Sequence, residues 1–194
     1  MTLIFSAALS RAEVAQISRH VRAYVGRVDE TRSNAFAGSV HLSAPFPIFT
    51  LSRGAGRKRR LLTAAKPVCL ECLVLVGEHA VADIALVISD SSGQHEFAGM
   101  RVGPSAARLL EAIRTAEGIE ATKNGEYELR VLRVPALRFS GVWLHRTNDD
   151  LLIPFGQKGP SQEGSAPCSE RELQMLLAPR AEARPAAARR RKRA

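Results

Sequence analysis

Hydrophobic residues recur at every second position through the middle of the chain, from Val68 onwards. Successive side chains of a β-strand point to opposite faces, so this alternation is typical of strands rather than helices. Gly77 and the Asp90–Gly93 stretch interrupt it with residues that favour turns. The pattern predicts three strands at 68–76, 81–89 and 94–102. Because the turns between them are short, we expect the three strands to form an antiparallel meander.

A helical pattern follows over residues 103–118. Pro104 suits a first helical turn, and Gly118 is a typical end. The apolar residues return every three or four positions, which predicts one buried stripe: Ala106, Leu109, Leu110, Ile113 and Ala116. Beyond the helix, alternation resumes and predicts a second group of three strands at 127–135, 137–145 and 151–155.

The N-terminal part of the chain predicts another helix over residues 10–26. Ser10 can cap its first turn and Glu13, three residues later, completes a capping box. A short extended piece is expected at 48–51, and a short helix at 170–177.

These elements predict an α+β protein. We expect a mostly antiparallel sheet built from two meanders flanking a central helix, with an N-terminal helix and a disordered basic C-terminal tail. Residues 1–158 are interpreted as a single domain, 159–179 as a Gly/Pro/Ser linker with a short helix, and 180–194 as the Arg-rich tail.

Charge is distributed unevenly along the 194 residues. Of the formal net charge of +9, residues 180–194 supply +6 and residues 57–60 supply +4, so the rest of the chain carries −1. Two basic runs could neutralise phosphates and bind nucleic acid weakly and without sequence preference. The candidate residues are Arg57, Lys58, Arg59, Arg60, Arg189, Arg190, Arg191, Lys192 and Arg193. Neither run contains an aromatic residue for base stacking, which favours a solvated loop and tail instead.

The three cysteines predict neither a disulfide framework nor a cofactor site. Cys69 and Cys72 form a Cys-x-x-Cys motif, but it enters a predicted strand, where this spacing points the two sulfur atoms to opposite faces. No second pair completes a zinc site, and Cys168 stands alone. We therefore expect no metal or cofactor, with Cys72 as a small core residue.

Two groups of polar residues resemble catalytic constellations. Asp90, Ser91, Ser92 and His95 suggest a triad, yet they are adjacent in a predicted turn, where backbone hydrogen bonding explains the residue types. Asp149 and Asp150 lie at a predicted hairpin tip, where we expect both carboxylates to be hydrated. Trp143 and Phe139, with Leu137, are expected in the core.

The preferred functional hypothesis is a small non-catalytic binding or accessory protein whose sheet and hairpins contact another protein. One alternative is a nucleic-acid-associated protein that uses the two basic runs. The other is an enzyme with a site assembled from His145, His95 and Asp83. The odd number of cysteines favours a cytoplasmic location. No apolar run approaches the ~20 residues of a membrane helix, so we expect no membrane span.

Overall fold

The computed structural model of the chain describes residues 2–5, 8–25, 40–51, 61–90, 93–119, 125–147, 149–156 and 166–182. Within these ranges there are three helices: α1 (Arg11–Val25), α2 (Pro104–Gly118) and α3 (Glu170–Glu182). The same ranges contain nine strands: β1 (Thr2–Ile4), β2 (Val40–Leu42), β3 (Phe46–Leu51), β4 (Ala65–Val76), β5 (His79–Ile88), β6 (His95–Val102), β7 (Glu126–Val134), β8 (Phe139–His145) and β9 (Leu151–Phe155).

All nine strands belong to one sheet, whose main path runs β6-β5-β4-β3-β7-β8-β9. Most pairs are antiparallel, and the parallel pairs are β3 with β7 and β1 with β7. The prediction of an α+β protein with a mostly antiparallel sheet is confirmed. The sequence did not predict that β3 lies between β4 and β7, where it joins the first group of strands to the second.

The helices cover both faces of this sheet. Helix α2 packs on one face through Ala106, Leu109 and Ile113, which share a core with Leu73 of β4 and Val142 of β8. Adjacent residues of the same strands point the other way. Cys72 packs with Ile17 of α1, and Trp143 packs with Leu173 of α3. Helices α1 and α3 therefore both lie on the second face, over opposite ends of the strand order.

The predicted start of α1 is confirmed by a complete capping box. The Glu13 carboxylate accepts a hydrogen bond from the Ser10 backbone N–H at 2.7 Å, and the Ser10 hydroxyl accepts one from the Glu13 N–H at 3.2 Å. These bonds satisfy backbone donors that the first helical turn leaves without partners. The bonds from Ser10 and from the His95 backbone also lower the pKa of Glu13 to about 2, with the His95 N–H contributing most.

Several boundaries differ from the sequence prediction. Helix α3 continues past Leu177 to Glu182, so residues 180–182 of the predicted tail are helical. In the stripe of α2, Ala112 is buried, whereas Leu110 is only partly buried. Ile88 continues the apolar face of β5 but is 65% exposed. Residues 183–194 lie outside the described residues, as does Gly26, the expected end of α1.

None of the helices in the described ranges is both long enough and apolar enough to span a membrane.

Candidate functional site

Four charged side chains form a row across the sheet, on the face that α2 covers. Glu71 and Asp83 interrupt otherwise apolar stretches of β4 and β5, and both are almost fully buried. Arg101 of β6 lies directly opposite Asp83 in the strand register. Arg133 of β7 reaches Glu71 from the far side of β3. We call these four residues the charge row.

The charge row is held together by short hydrogen-bonded ion pairs. Arg101 donates to Asp83 from both Nε (2.8 Å) and Nη2 (2.5 Å), and its Nη2 lies 3.0 Å from the Glu71 Oε1 atom. Arg133 Nη2 donates to the other oxygen of Glu71 at 2.5 Å. Ser105, in the first turn of α2, lies 3.3 Å from the remaining oxygen of Asp83. Each buried carboxylate therefore has partners for both of its oxygen atoms, as buried ions require.

Burial changes the protonation behaviour of both acids. Burial raises the pKa of Glu71 to about 8, the neighbouring Asp83 adds to the rise, and Arg101 opposes it. Burial likewise raises the pKa of Asp83 above its ordinary value, again against the effect of Arg101. The four groups together carry no net charge when both acids are ionised, and +1 once Glu71 is protonated.

The two guanidinium groups differ in their access to solvent. The Arg133 side chain is 15% exposed, and its buried Nε has no hydrogen-bond partner among the described residues. The Arg101 side chain is 57% exposed because β6 is the first strand on the main path of the sheet. Any surplus positive charge of the row is thus presented to solvent at Arg101.

Strand β6 pairs with β5 and has no second neighbour among the described strands. The Gly103 N–H donates to the Val81 carbonyl at 3.3 Å, which makes this a hydrogen-bonded position of the antiparallel ladder. Because such positions alternate along a strand, the backbone groups of Val102 and Met100 point away from β5. A register shift between Ala85 and Leu86 leaves Ala98 unpaired and separates this stretch from the start of β6.

One side of α1 borders the same edge of the sheet. The His20 ring stacks on Phe97 of β6, with 5.1 Å between ring centroids and 8° between planes. Gln16, Arg19 and Ala23 lie on this side of the helix, and with His20 they line a surface cavity of about 460 Å³. At the start of α1, Glu13 also accepts hydrogen bonds from the His95 backbone N–H at 2.7 Å and from its Nδ1 at 2.9 Å. The helix and the edge strand are therefore tied together at two points.

A second polar cluster surrounds Trp143 on the other face of the sheet. Asp150 Oδ1 accepts a hydrogen bond from Trp143 Nε1 at 2.8 Å and lies 2.7 Å from His145 Nδ1. The Arg130 guanidinium lies 4.8 Å from the Trp143 ring and 4.9 Å from the Phe49 ring. This packing confirms the prediction that Trp143 is a core residue.

Asp149 is exposed, as expected for a hairpin tip, whereas Asp150 is half-buried, so the expectation of two hydrated carboxylates is wrong for Asp150. Asp149 accepts a hydrogen bond from the Tyr127 hydroxyl, while Asp150 is bound to Trp143 and His145 on the opposite face. Their positions in the sequence suggested an isolated hairpin tip. In the fold, Tyr127 of β7 lies within hydrogen-bond distance of Asp149, and Trp143 and His145 of β8 lie within hydrogen-bond distance of Asp150.

The three residues of the hypothetical enzyme site occupy different places. His95 contacts Glu13, His145 contacts Asp150, and Asp83 belongs to the charge row. His95 and His145 lie on β6 and β8, five strand positions apart, which corresponds to about 24 Å across a sheet. The structure does not bring these three side chains together. Asp90 lies in a turn as predicted, and Ser91 and Ser92 fall outside the described residues.

The cysteines lie as the strand pattern predicts. Cys72 is fully buried beneath α1, whereas Cys69 is half-buried on the α2 face, and both are free thiols. Burial raises the pKa of Cys72 to about 12 and that of Cys69 to about 11, so both are protonated at neutral pH. Within the described part of the chain, no three His, Cys, Asp or Glu side chains are placed to hold a metal ion.

The buried position of Cys72 leads to a stability prediction. Cys72→Ser should lower the free energy of unfolding by about 1–3 kcal/mol, because a hydroxyl without partners replaces a thiol that behaves as a small apolar group. Cys69→Ser is the matched control and should cost less, since that side chain is half-buried. Urea denaturation of both variants provides the measurement, and equal losses would contradict the assignment of Cys72 alone to the core.

The nine basic residues proposed for nucleic-acid binding, at 57–60 and 189–193, all lie outside the described residues. The residues that the sequence analysis did not identify are Arg101 and Arg133. One signal for them was present: a single acid inside each of two apolar strands needs a cationic partner when buried. The positions of those cations depend on strand order, which local patterns do not reveal.

Comparison with protein-family models, with curated proteins and with solved structures finds no match to this chain.

Proposed function

We propose that this protein is a non-catalytic binding module that contacts a protein partner through the open edge of its sheet. The observation that carries the proposal is the outer strand β6, whose Met100 and Val102 backbone groups point away from β5. Unpaired N–H and C=O groups on a strand edge are a template for an added strand from another chain.

The surroundings of β6 also fit strand addition. Phe97, Met100 and Val102 are half-buried and pack against the core under α1, so a partner side chain on this face would cover apolar surface. Because Ala98 is unpaired, the regularly paired part of this edge is limited to about four residues, Gly99–Val102. Such interruptions protect a strand from indiscriminate pairing, and the short stretch that remains suits a short peptide segment.

The polar residues of the protein support a binding role over catalysis. Glu71 and Asp83 neutralise guanidinium groups, and His145 is bound to Asp150. A general acid or base needs a group that is free to exchange a proton with a substrate. In this protein those side chains hold strands and connections together.

Selection from a library of random decapeptides displayed on phage tests the proposal. The wild-type protein should enrich binding sequences, and Met100→Pro should abolish their binding. Proline removes an outward N–H without breaking the ladder to β5, so circular dichroism should remain native. Met100→Ala is the matched control: it shortens the same side chain, keeps the N–H and should retain most of the binding. Failure to enrich any peptide, or equal binding by the proline variant, would contradict the proposal.

A further inference from the structure

We infer that the partner segment at β6 is an extended strand in which apolar residues alternate with acidic ones, and that Arg101 binds one of its carboxylates. This inference rests on the proposed function. It specifies the stretch Gly99–Val102 as the pairing site and an acidic segment as the occupant.

The alternation follows from the two faces of the edge. Met100 and Val102 point towards the α1 face, where they join the apolar core, whereas Arg101 points to the opposite face. An added strand places its own side chains alternately on the same two faces. Residues beside Met100 and Val102 would therefore be apolar, and the residue beside Arg101 would be polar.

The preference for an acid follows from the charge row. Arg101 is held in place by Asp83 and Glu71 behind it, so its guanidinium is already oriented while more than half of its side chain remains exposed. Of the two arginines in the row, Arg101 is the one with most of its side chain exposed, so it is the one that a carboxylate of an added strand can reach. Directly opposite cross-strand pairs of unlike charge are stabilising, and a preoriented guanidinium loses little side-chain entropy on binding a carboxylate.

The other charges along this edge agree with an acidic occupant. Arg19 lines the cavity on the neighbouring side of α1 and adds positive charge there. Glu96 lies on the same strand as Arg101, but the unpaired Ala98 separates it from the Gly99–Val102 stretch. The occupant therefore pairs with the end of β6 that carries the cation, and not with the end that carries Glu96.

Fluorescence anisotropy with labelled octapeptides tests this inference. The first probe alternates valine and glutamate, the second alternates valine and lysine, and the third has the composition of the first with its residues arranged in pairs. We expect the alternating glutamate peptide to bind at least threefold more tightly than either control. The margin should shrink at 0.5 M salt, because partly exposed charges are screened.

Variants of the protein locate the recognition. Arg101→Gln should weaken binding of the alternating glutamate peptide by about three- to tenfold, as expected for a hydrogen bond to a charged group. Lys66→Gln removes an equal charge from an exposed position on β4 and should have no effect. Arg101→Lys keeps the charge and should retain the preference for glutamate over lysine, which guards against loss of fold in the glutamine variant.

The outcomes separate this inference from the proposed function. Library peptides that depend on the Met100 N–H but are neutral or basic would overturn the acidic partner and leave strand addition intact. An absence of any peptide binding would overturn both. A dimer in sedimentation experiments that Met100→Pro dissociates would identify a second copy of the chain as the occupant, and would also overturn the acidic partner.

Discussion

Glu71→Ala should lower the free energy of unfolding by about 3–5 kcal/mol, one of the two largest effects that we expect from a single substitution. Glu71 joins Arg101 to Arg133, and its carboxylate accepts from both guanidinium groups. Removing it leaves the nearly buried Arg133 with Asp83, 3.9 Å away, as its remaining carboxylate among the described residues. A buried charge that loses its partner typically costs this much.

Glu71→Gln is the informative companion to this variant. Glutamine has the same shape but only one acceptor oxygen, so its amide NH2 faces one of the two guanidinium groups, and the variant should cost about 1–3 kcal/mol. Urea denaturation followed by the fluorescence of Trp143, the single tryptophan, measures both variants. A loss below about 1 kcal/mol for the alanine variant would show that the charge row contributes little to stability.

The same pKa determines the expected pH dependence. The pKa of Glu71 is higher in the folded protein than in the unfolded chain, so the folded state binds the proton more tightly. The stability that this group contributes is present below about pH 4.5 and is lost as the pH rises through 8. Wild-type stability should therefore fall by about 2–5 kcal/mol between pH 5 and 9. The Glu71→Gln variant should show a flatter profile over this interval, and parallel profiles would contradict the assignment.

Trp143→Ala should also cost about 3–5 kcal/mol. Trp143 is buried between the sheet and α3, where it packs with Leu173 and Leu177. Its removal leaves a cavity and takes away the ring against which Arg130 is stacked. It also removes the indole N–H that Asp150 accepts.

Trp143→Phe separates packing from hydrogen bonding. Phenylalanine keeps most of the apolar contact but cannot donate to Asp150, so its cost should be about 1–2 kcal/mol. Because both variants lack the indole, circular dichroism is the appropriate probe of their unfolding. An alanine variant as stable as the phenylalanine variant would mean that the Trp143 ring does not support the packing of α3.

Local patterns determined most elements of this fold, although not β1 or β2, and most of their exposed and buried sides. The capping box of Ser10 and Glu13, and the opposite faces of Cys69 and Cys72, follow from neighbours within four residues along the chain. Such features depend on backbone geometry that repeats every 2 or 3.6 residues, so a sequence pattern is enough to predict them. The same holds for the position of α2 along the chain, although not for the sheet face that it covers.

Only the tertiary structure decided which elements meet. Arg133 and Glu71 are 62 residues apart, and they pair because β3 brings β4 and β7 to its two sides. Glu13 and His95 are 82 residues apart, and they bind each other because α1 packs beside β6. The order and register of strands result from summing many contacts over the whole sheet, and no local periodicity encodes that sum. The sequence by itself therefore determined that Glu71 and Asp83 interrupt apolar strands, whereas the fold decided that Arg101 would be their partner at the open edge.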